Sequence, residues 1–419
     1  MLSREENDLV THTAPGTPCG ELMRRYWQPA ALAEDLPPGG PPLPIQLLGE
    51  DLVLFRDERG RAGLLGLHCS HRGADLSYGR LEAGGLRCIY HGWLYDVHGR
   101  CLEQPGEPAG STFHERIHHP AYPCREVGGL ILAYMGPGEP PLVPAYDFLT
   151  APDDRRFNTR VFQDCNYLQG NEGNIDPAHH SFLHLRLGAE DDTRWSFYAL
   201  DRAPIIEAEE TDFGVRVYGV RRVPGDRNYV KVSNFVLPNL SAITGDRDGY
   251  SVNWHVPIDD THHWKYNITF RRSAAIDQQA RAGGRSPMTA GYRLIRNKAN
   301  RYQQDRAEMA SRTFSGLAFD FQAQDTCVTE GAGPVQDRSQ EHLGYVDTAI
   351  IAARRMLLRA IRDVQEGREP PHVVRDAARN DFSHIVARKE VLPRAVEWRN
   401  FWERESSGEL ALDPVGVRA

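Results

Sequence analysis

Short apolar runs separated by turn residues fill the stretch from about Pro44 to Pro144. Residues 45–48, 52–55 and 129–135 are three of these runs, and a glycine- and proline-rich sequence follows them at 136–141. Many short strands at close spacing are typical of a small all-β domain, either a sandwich or a barrel. The pattern therefore predicts a compact β domain in the first half of the chain.

The second half of the chain mixes two periodicities. Apolar and polar residues alternate at 214–220, 229–232, 251–256 and 263–270, which predicts strands. From Thr348 onward, apolar residues recur at helical spacing until Gly367, which is a helix stop signal. A sheet followed by helices is the α+β pattern.

The beginning of the chain predicts a short helix in residues 17–27. Thr17 can cap it, and Pro18 suits the first helical position. The proline- and glycine-rich residues 36–42 then break regular structure. These signals divide the chain into an N-terminal helical segment (1–43) packed on the last domain, a small all-β domain (44–150) and a larger mixed domain (151–419).

Composition narrows the class of protein. A chain of 419 residues predicts roughly two or three domains. Its formal net charge of −8 disfavours nucleic acid as a partner. No apolar run reaches the ~18 residues that a membrane span needs, and the first thirty residues lack the apolar core of a secretory signal. We therefore expect a cytoplasmic protein without a membrane partner.

Cysteine and histidine residues are the candidate metal ligands. The seven cysteines are an odd number in such a chain, so metal ligation is more plausible than a disulfide framework. Cys69 and His71 form C-x-H, and after sixteen intervening residues Cys88 and His91 form C-x-x-H. Two cysteines and two histidines can hold one zinc ion. They can also hold a Rieske centre, in which two thiolates bind one iron and two imidazoles bind the other.

The residues around these ligands decide between the alternatives. The sequences HCSHRGADL from His68 and CIYHGWLYD from Cys88 resemble the Rieske [2Fe–2S] signature of aromatic-ring hydroxylating oxygenases. The resemblance implies that Cys69, His71, Cys88 and His91 bind the cluster. His68 is expected to be structural, and four further histidines are expected at the surface or in loops: His98, His114, His118 and His119. The remaining cysteines, 101, 124, 165 and 327, are expected to be free thiols.

A second constellation lies in the sequence DPAHHSFLH from Asp176. Non-haem Fe(II) oxygenases use two histidines and one carboxylate on one face of the metal. The segment resembles the iron-binding segment of the same family, which implies His179 and His184 as ligands. On a regular helix these positions would lie ~140° apart, so we predict a π-bulge or a break between them. His180 should point away from the metal.

The third iron ligand must be a distant carboxylate, and spacing alone leaves Asp320, Asp325 and Glu330 as candidates. The C-terminal region resembles that of phthalate-dioxygenase-type α subunits, which implies Asp325. Asp176 can cap a helix, since proline follows it. The resemblance implies instead that its carboxylate links a cluster histidine of one subunit to the iron ligand His179 of the next.

The family resemblance also implies the fold of the catalytic domain, the assembly and the reaction. We expect a curved antiparallel sheet of helix-grip type with C-terminal helices in the catalytic domain, and a homotrimer or stacked trimers. The chain would be a terminal oxygenase that takes electrons from a flavin and iron–sulfur reductase and uses O₂ to hydroxylate an aromatic substrate. The substrate is expected to be a carboxylic acid of phthalate or benzoate type. Its carboxylate could pair with an arginine, for which the candidates are Arg194, Arg202, Arg221 and Arg222, although each is more often a surface residue.

Two alternatives stay open. The enzyme could be a monooxygenase or O-demethylase of a methoxylated aromatic acid. A different class of function is an electron carrier with a Rieske cluster and a metal-free second domain. One departure from the family pattern is the polar run at residues 169–174, which is more polar than a pocket wall should be.

Overall fold

The structure, a computed structural model, describes residues 1–188 and 194–412. The last residues of the predicted third domain, 413–419, thus lie outside the described part. The helices are α1 (Arg4–Thr11), α2 (Pro18–Met23), α3 (Asp147–Thr150), α4 (Tyr167–Ile175), α5 (Arg194–Leu200), α6 (Gln278–Gly283), α7 (Arg306–Ser311), α8 (Phe321–Gly331), α9 (Thr348–Gln365) and α10 (Phe401–Ser406). Thr17 accepts from the Gly20 N–H and Pro18 starts α2, which confirms the predicted cap.

The first half of the chain forms three small antiparallel sheets. One sheet contains β1 (Gln28–Leu32), β11 (Leu130–Ala133) and β10 (Cys124–Val127), in that order. The second contains β2 (Leu43–Leu47), β3 (Glu50–Arg56), β4 (Ala62–Gly66) and β9 (Ala121–Tyr122). The third contains β5 (Arg80–Glu82), β6 (Gly85–Arg87), β7 (Leu94–Tyr95) and β8 (Cys101–Glu103). The predicted all-β domain is therefore present.

Strand β3 shows how this domain joins the rest. Successive side chains of a strand point to opposite faces. Leu52 and Leu54 belong to the main hydrophobic core, whereas Val53 and Phe55 belong to a separate core that also contains both cluster cysteines. One strand thus ties the cysteine-bearing lobe to the body of the molecule.

A large antiparallel sheet dominates the second half. Its order is β12 (Arg156–Gln163), β18 (His263–Phe270), β17 (Tyr250–Pro257), β16 (Leu240–Gly245), β15 (Arg227–Val236), β14 (Gly214–Val223) and β13 (Ile205–Glu210). The last strand, β19 (Arg388–Pro393), pairs with β15. Helix α9 ends before Gly367, which has a left-handed backbone, as the sequence predicted. The α+β fold class is confirmed.

The N-terminal segment divides between two neighbours. Helices α1 and α2 pack against α9, whereas β1 pairs with β11 of the small β region. The domain limits at residues 43 and 150 remain a prediction. In the described part of the chain, no helix is both long and apolar enough to cross a membrane.

Candidate active site

Two loops of the small β region position the four candidate ligands of the cluster. The N–H of Gly73 donates to the Cys69 carbonyl and the N–H of Gly92 to the Cys88 carbonyl, at 2.8 and 3.0 Å. Both glycines have φ near +75°, a conformation that costs little only for glycine. The two loops therefore close in the same way and present one cysteine and one histidine each.

The four side chains form two pairs. The rings of His71 and His91 have centroids 4.4 Å apart at the loop tips. The buried thiols of Cys69 and Cys88 lie next to each other, and burial together with Cys69 raises the pKa of the Cys88 thiol. The pairing of cysteine with cysteine and histidine with histidine is what two bridged irons require.

The pairing by residue type favours two bridged irons over a single zinc ion. One zinc ion would gather all four ligand atoms around a single point. Here the thiol of Cys88 interacts with that of Cys69, and the ring of His71 contacts that of His91. A quartet divided in this way fits a two-iron cluster.

Neighbouring side chains hold the loops. The hydroxyl of Tyr95 lies 3.2 Å from Cys69 Sγ, and the Trp93 ring stacks on His71. His119 lies in a loop, one of the two placements predicted for it, but its ring is buried beneath the first cluster loop. Its Nε2 lies 2.7 Å from the Gly66 carbonyl, so Nε2 carries the proton and Nδ1 accepts from the Ser70 hydroxyl at 2.7 Å. All seven cysteines are free.

The second constellation begins where α4 ends. Asp176 has an extended backbone, and a 3₁₀ turn at His179–Ser181 follows it. Phe182 then leaves helical geometry altogether. The predicted break is present, and it brings His179 Nε2 within 3.2 Å of His184 Nε2.

Asp325 completes the group from α8. Its Oδ1 lies 3.0 Å from His184 Nε2 and 4.0 Å from His179 Nε2. Ligand atoms ~2.1 Å from one ion and at right angles lie ~3.0 Å apart. The His179–His184 and His184–Asp325 spacings match this value, and the His179–Asp325 spacing is about 1 Å longer. The three side chains thus converge on one point, as the ligands of a facial triad do.

The other two carboxylates on α8 face elsewhere. Asp320 caps the helix by accepting from the Ala323 N–H. Glu330 accepts from the Tyr302 hydroxyl and from the Asp164 N–H. Of the three candidates, only Asp325 points at the histidines.

The tautomers show that the triad suits a cation. Gln324 Nε2 donates to the Ala318 carbonyl at 2.6 Å, which turns Gln324 Oε1 toward His184 Nδ1, also at 2.6 Å. His184 therefore carries its proton on Nδ1 and presents a lone pair at Nε2. Lone pairs of two imidazoles and a carboxylate then converge, an arrangement that a metal ion stabilises.

His180 lies close to both histidines, and its ligand atom is within 4.8 Å of theirs. However, Lys231 Nζ lies 2.8 Å from His180 Nε2, and His180 Nδ1 lies 3.2 Å from the Pro177 carbonyl. Both ring nitrogens therefore have partners within the protein, so the exclusion of His180 as a ligand is consistent with the structure.

Asp176 performs two tasks with separate oxygens. Its Oδ1 accepts from the Ala178 N–H at 2.6 Å, which is the capping role. Its Oδ2 lies 3.5 Å from His179 Nδ1. Burial raises the pKa of Asp176, but the nearby His179 ring and the N–H of Ala178 outweigh burial and lower it overall. The capping and linking roles do not compete.

The polar run at residues 169–174 has two roles. Gln169, Asn171 and Glu172 are buried. Gly170, Gly173 and Asn174 line a small cavity beside His179 and Asp325. Glu172 forms ion pairs with Arg338 at 2.9 Å and with Arg354 at 2.6 Å. Gln169 donates to the carbonyls of Thr329 and Gly333. These bonds fix α4 to α9 and to the segment after α8, and so position the triad.

A cavity of about 640 Å³ opens beside Asp325. It lies over the inner face of the large sheet, and a smaller cavity continues from it behind His180. Seven lysine and arginine residues line the two cavities: Arg194, Lys231, Lys265, Arg281, Arg285, Arg388 and Lys389. Arg388 forms ion pairs with Glu390 and Glu405. Within the described ranges, the other six form no ion pair with a carboxylate.

The four arginines considered from sequence differ in position. Arg194 lines both cavities. Arg202 and Arg222 are exposed, as surface residues should be. Arg221 is completely buried, and it donates to the Pro177 carbonyl and the Ser181 hydroxyl beneath the histidine segment. No motif in the sequence pointed to the cavity lysines, which lie on strands far apart in the chain.

Two family models match the chain. A Rieske [2Fe-2S] domain matches residues 26–122, and a "LigXa C-terminal domain like" model matches residues 133–414, more than half of the chain. The chain belongs to the Rieske non-haem iron oxygenases. A Rieske [2Fe–2S] cluster and a mononuclear iron are accordingly its cofactors, and it is an oxidoreductase.

Curated relatives are similar to this chain over most or all of its length. The oxygenase subunit of phthalate 4,5-dioxygenase from Pseudomonas putida is 35% identical, over 100% of this chain and 98% of that protein. The oxygenase subunit of 5,5'-dehydrodivanillate O-demethylase from a Sphingobium strain is 32% identical, over 91% of this chain and 85% of that protein. The solved terminal oxygenase of carbazole 1,9a-dioxygenase from Novosphingobium is 21% identical with a TM-score of 0.58, over 86% of this chain and 96% of that one. The last likeness shows the shared fold.

Proposed function

We propose that this Rieske oxygenase hydroxylates an aromatic carboxylic acid of phthalate or benzoate type. The observation that carries the proposal is the set of unpaired basic residues in the cavity beside Asp325. Two of them, Lys231 and Lys265, are buried. Buried cations without counter-ions favour an anionic ligand. Burial, with Arg221 and Arg194, lowers the pKa of Lys231 to about 7, and a bound carboxylate would relieve that cost.

Several relatives act on such acids by name. Besides phthalate 4,5-dioxygenase, they include phenoxybenzoate dioxygenase from Ectopseudomonas oleovorans, 35% identical, and 3-chlorobenzoate-3,4-dioxygenase from Comamonas testosteroni, 30% identical. These names support an aromatic acid as the substrate class without selecting one.

We assign the cofactor ligands on the geometry above. Cys69 and Cys88 hold one iron of the cluster, and His71 and His91 hold the other. His179, His184 and Asp325 hold the mononuclear iron. When bound, the cluster supplies electrons one at a time and the mononuclear iron supplies O₂ activation. Around it, Gln324 fixes the His184 tautomer and the basic residues orient the substrate.

We further propose that Asp176 connects two subunits of a homotrimer, or of stacked trimers. Its Oδ2 faces His179, and a quarter of its side chain is exposed. In the described part of a single chain, no hydrogen bond joins Asp176 to His71 or His91. Both cluster histidines lie at loop tips, where a second copy could reach them. A separate reductase would supply the electrons, and the cytoplasm remains the expected location.

Product analysis with isotope-labelled O₂ tests the reaction class. The purified iron-loaded enzyme, with a reductase, is given phthalate, benzoate, phenoxybenzoate and a methoxylated benzoate. Two labelled hydroxyl groups on adjacent carbons would show dihydroxylation. A single labelled hydroxyl or released formaldehyde would favour the monooxygenase or O-demethylase alternative. The 32% identity to an O-demethylase subunit is the reason for including this alternative. Oxidation of none of these acids would contradict the proposed substrate class.

Iron content separates an enzyme from an electron carrier. The convergent triad predicts one mononuclear iron per chain in addition to the two irons of the cluster. Iron confined to the cluster in a fully loaded preparation would support the carrier. Changing His179 to alanine should then lower iron content by one third in the enzyme and leave it unchanged in a carrier.

A further inference from the structure

Five side chains form a hydrogen-bonded relay from the cavity beside Asp325 to the backbone that precedes α4. In order from the cavity they are Asn267, Asn253, Asn174, His255 and His263. The inner end of the relay is anchored, because His263 Nδ1 lies 2.7 Å from the Cys165 carbonyl. His263 Nε2 lies 2.9 Å from His255 Nδ1, and both rings are buried.

The asparagines connect this histidine pair with the cavity. One terminal amide atom of Asn174 lies 2.9 Å from His255 Nε2 and 2.8 Å from the amide of Asn253, which in turn is hydrogen-bonded to the amide of Asn267. Asn253 of β17 and Asn267 of β18 are directly paired in register, and both line the cavity. In the described part of the chain, the Asn267 side chain forms no other hydrogen bond. Its second amide atom is therefore available to a ligand.

The Cys165 carbonyl fixes the protons of both imidazoles. A carbonyl only accepts, so His263 carries its proton on Nδ1 and has a lone pair on Nε2. His255 must then donate from Nδ1, which leaves a lone pair on Nε2 when its ring is neutral. Burial lowers the pKa of His263 to about 3, and burial, with His263 and Lys265, holds the pKa of His255 well below its usual range. Both rings are therefore neutral.

The neutral His255 ring sets the direction of the three amides. The oxygen and nitrogen of an amide have nearly the same shape, so the hydrogen bonds decide between them. Asn174 must turn its nitrogen to His255 Nε2, because an oxygen there would face a lone pair. That nitrogen has two hydrogens and also donates to the Asn253 oxygen. Asn253 then donates to the Asn267 oxygen, which leaves the Asn267 nitrogen to face the cavity.

We propose that Asn267 is a specificity residue whose N–H donates to an acceptor oxygen of the aromatic acid. The inference rests on the proposed function, since it takes an aromatic acid as the ligand, and it assigns a residue that selects this ligand. Lys265 lies two residues before Asn267, on the same face of β18, and places a positive charge in the same cavity. The other members of the relay are positioning residues, because they act through the orientation of Asn267.

Asn267→Leu tests the direction of the cavity amide. The probes are the four acids used for product analysis, each compared with its primary amide, and binding to the iron-loaded enzyme is measured by calorimetric titration under nitrogen. Loss of an N–H bond to a carboxylate should weaken binding of the acid roughly tenfold. If the Asn267 oxygen faced the cavity instead, leucine would leave the affinity for the acid unchanged or raise it. Either of those results would overturn the inference.

Asn174→Asp tests whether the relay orients Asn267. A carboxylate has no N–H, so aspartate would reverse the donors along the relay and turn the Asn267 oxygen to the cavity. The acid should then bind roughly tenfold more weakly, whereas its amide, which can offer a donor or an acceptor, should stay within about twofold. A merely structural role of Asn174 would weaken both ligands alike, and that result would contradict the relay.

The matched control for charge is Thr329→Asp. It adds the same charge to the small cavity that Asn174 also lines, but Thr329 is not part of the relay. Acid binding that falls equally in the two aspartate variants would show that charge alone is responsible, and would overturn the relay. Circular dichroism and the cluster absorbance check that each variant is folded.

Failure of this inference differs from failure of the proposed function. If the unchanged enzyme binds an acid of the panel and Asn267→Leu binds it equally well, only the role of Asn267 is overturned. If the unchanged enzyme neither binds nor oxidises any of the four acids, the proposed function fails and the inference fails with it.

Discussion

Changing Gln324 to leucine tests whether the protein scaffold prepares the triad for iron. Gln324 is buried and makes two hydrogen bonds of 2.6 Å, one from His184 Nδ1 and one to the Ala318 carbonyl. Leucine would remove both, and His184 could then carry its proton on Nε2, where the metal should bind. Loss of such an outer partner typically costs roughly 10- to 100-fold in metal affinity. That loss corresponds to about 1.4 to 2.8 kcal/mol.

The assay is a chelator competition on the purified enzyme. Mononuclear iron is removed with increasing ferrous chelator while the cluster is followed by its visible absorbance, so the two metal sites are read separately. We expect the chelator concentration at half-removal to fall 10-fold or more for Gln324→Leu. Gln324→Glu should keep the iron, because a carboxylate oxygen can also accept from His184 Nδ1.

A matched control separates metal affinity from stability. Gln163→Leu also removes a buried amide that bonds α8, through Thr326 at 3.2 Å, but Gln163 has no hydrogen bond to a triad histidine. Each lost hydrogen bond should cost about 0.5–1.5 kcal/mol of unfolding free energy in both variants. If Gln324→Leu retains iron as well as Gln163→Leu does, the tautomer reasoning is refuted.

Three further changes have expected outcomes. Gly170→Ala should destabilise the protein in urea unfolding, because the alanine Cβ would lie 2.3 Å from His255 Nδ1. This clash should outweigh the ~1 kcal/mol by which alanine favours a helix over glycine. The control Gly173→Ala, in the same helix, meets only Thr329 at 3.5 Å and should not destabilise the protein. Tyr95→Phe should lower the reduction potential of the cluster in a redox titration, since it removes a hydrogen bond to Cys69 Sγ, and an unchanged potential would refute that role. Asp176→Asn should retain both metals and the capping bond yet slow single-turnover electron transfer; near-normal turnover would contradict the subunit link.

The sequence predicted the chemistry of the site better than its surroundings. C-x-H and C-x-x-H are local patterns, and so are the two histidines after Asp176; each lies within a short segment whose residues suffice to suggest a ligand set. The third ligand needed the family resemblance, because Asp320, Asp325 and Glu330 differ only in which side of α8 they occupy. The roles of Gln324, His119 and the cavity lysines could not be predicted, since they depend on contacts between strands and helices far apart in the chain.

The polar run of α4 shows why the burial of this helix could not be predicted from the sequence. Residues 169–174 look unsuited to a buried position, yet Glu172 meets Arg338 and Arg354, which lie 166 and 182 residues further along the chain. Removing one partner of a buried ion pair costs about 3–5 kcal/mol, because the other charge is left without compensation. A helix held in this way is fixed in rotation as well as in position, since its polar side chains bond to several different elements. That rotation sets where α4 ends at Asp176, and hence where His179 and His184 meet Asp325.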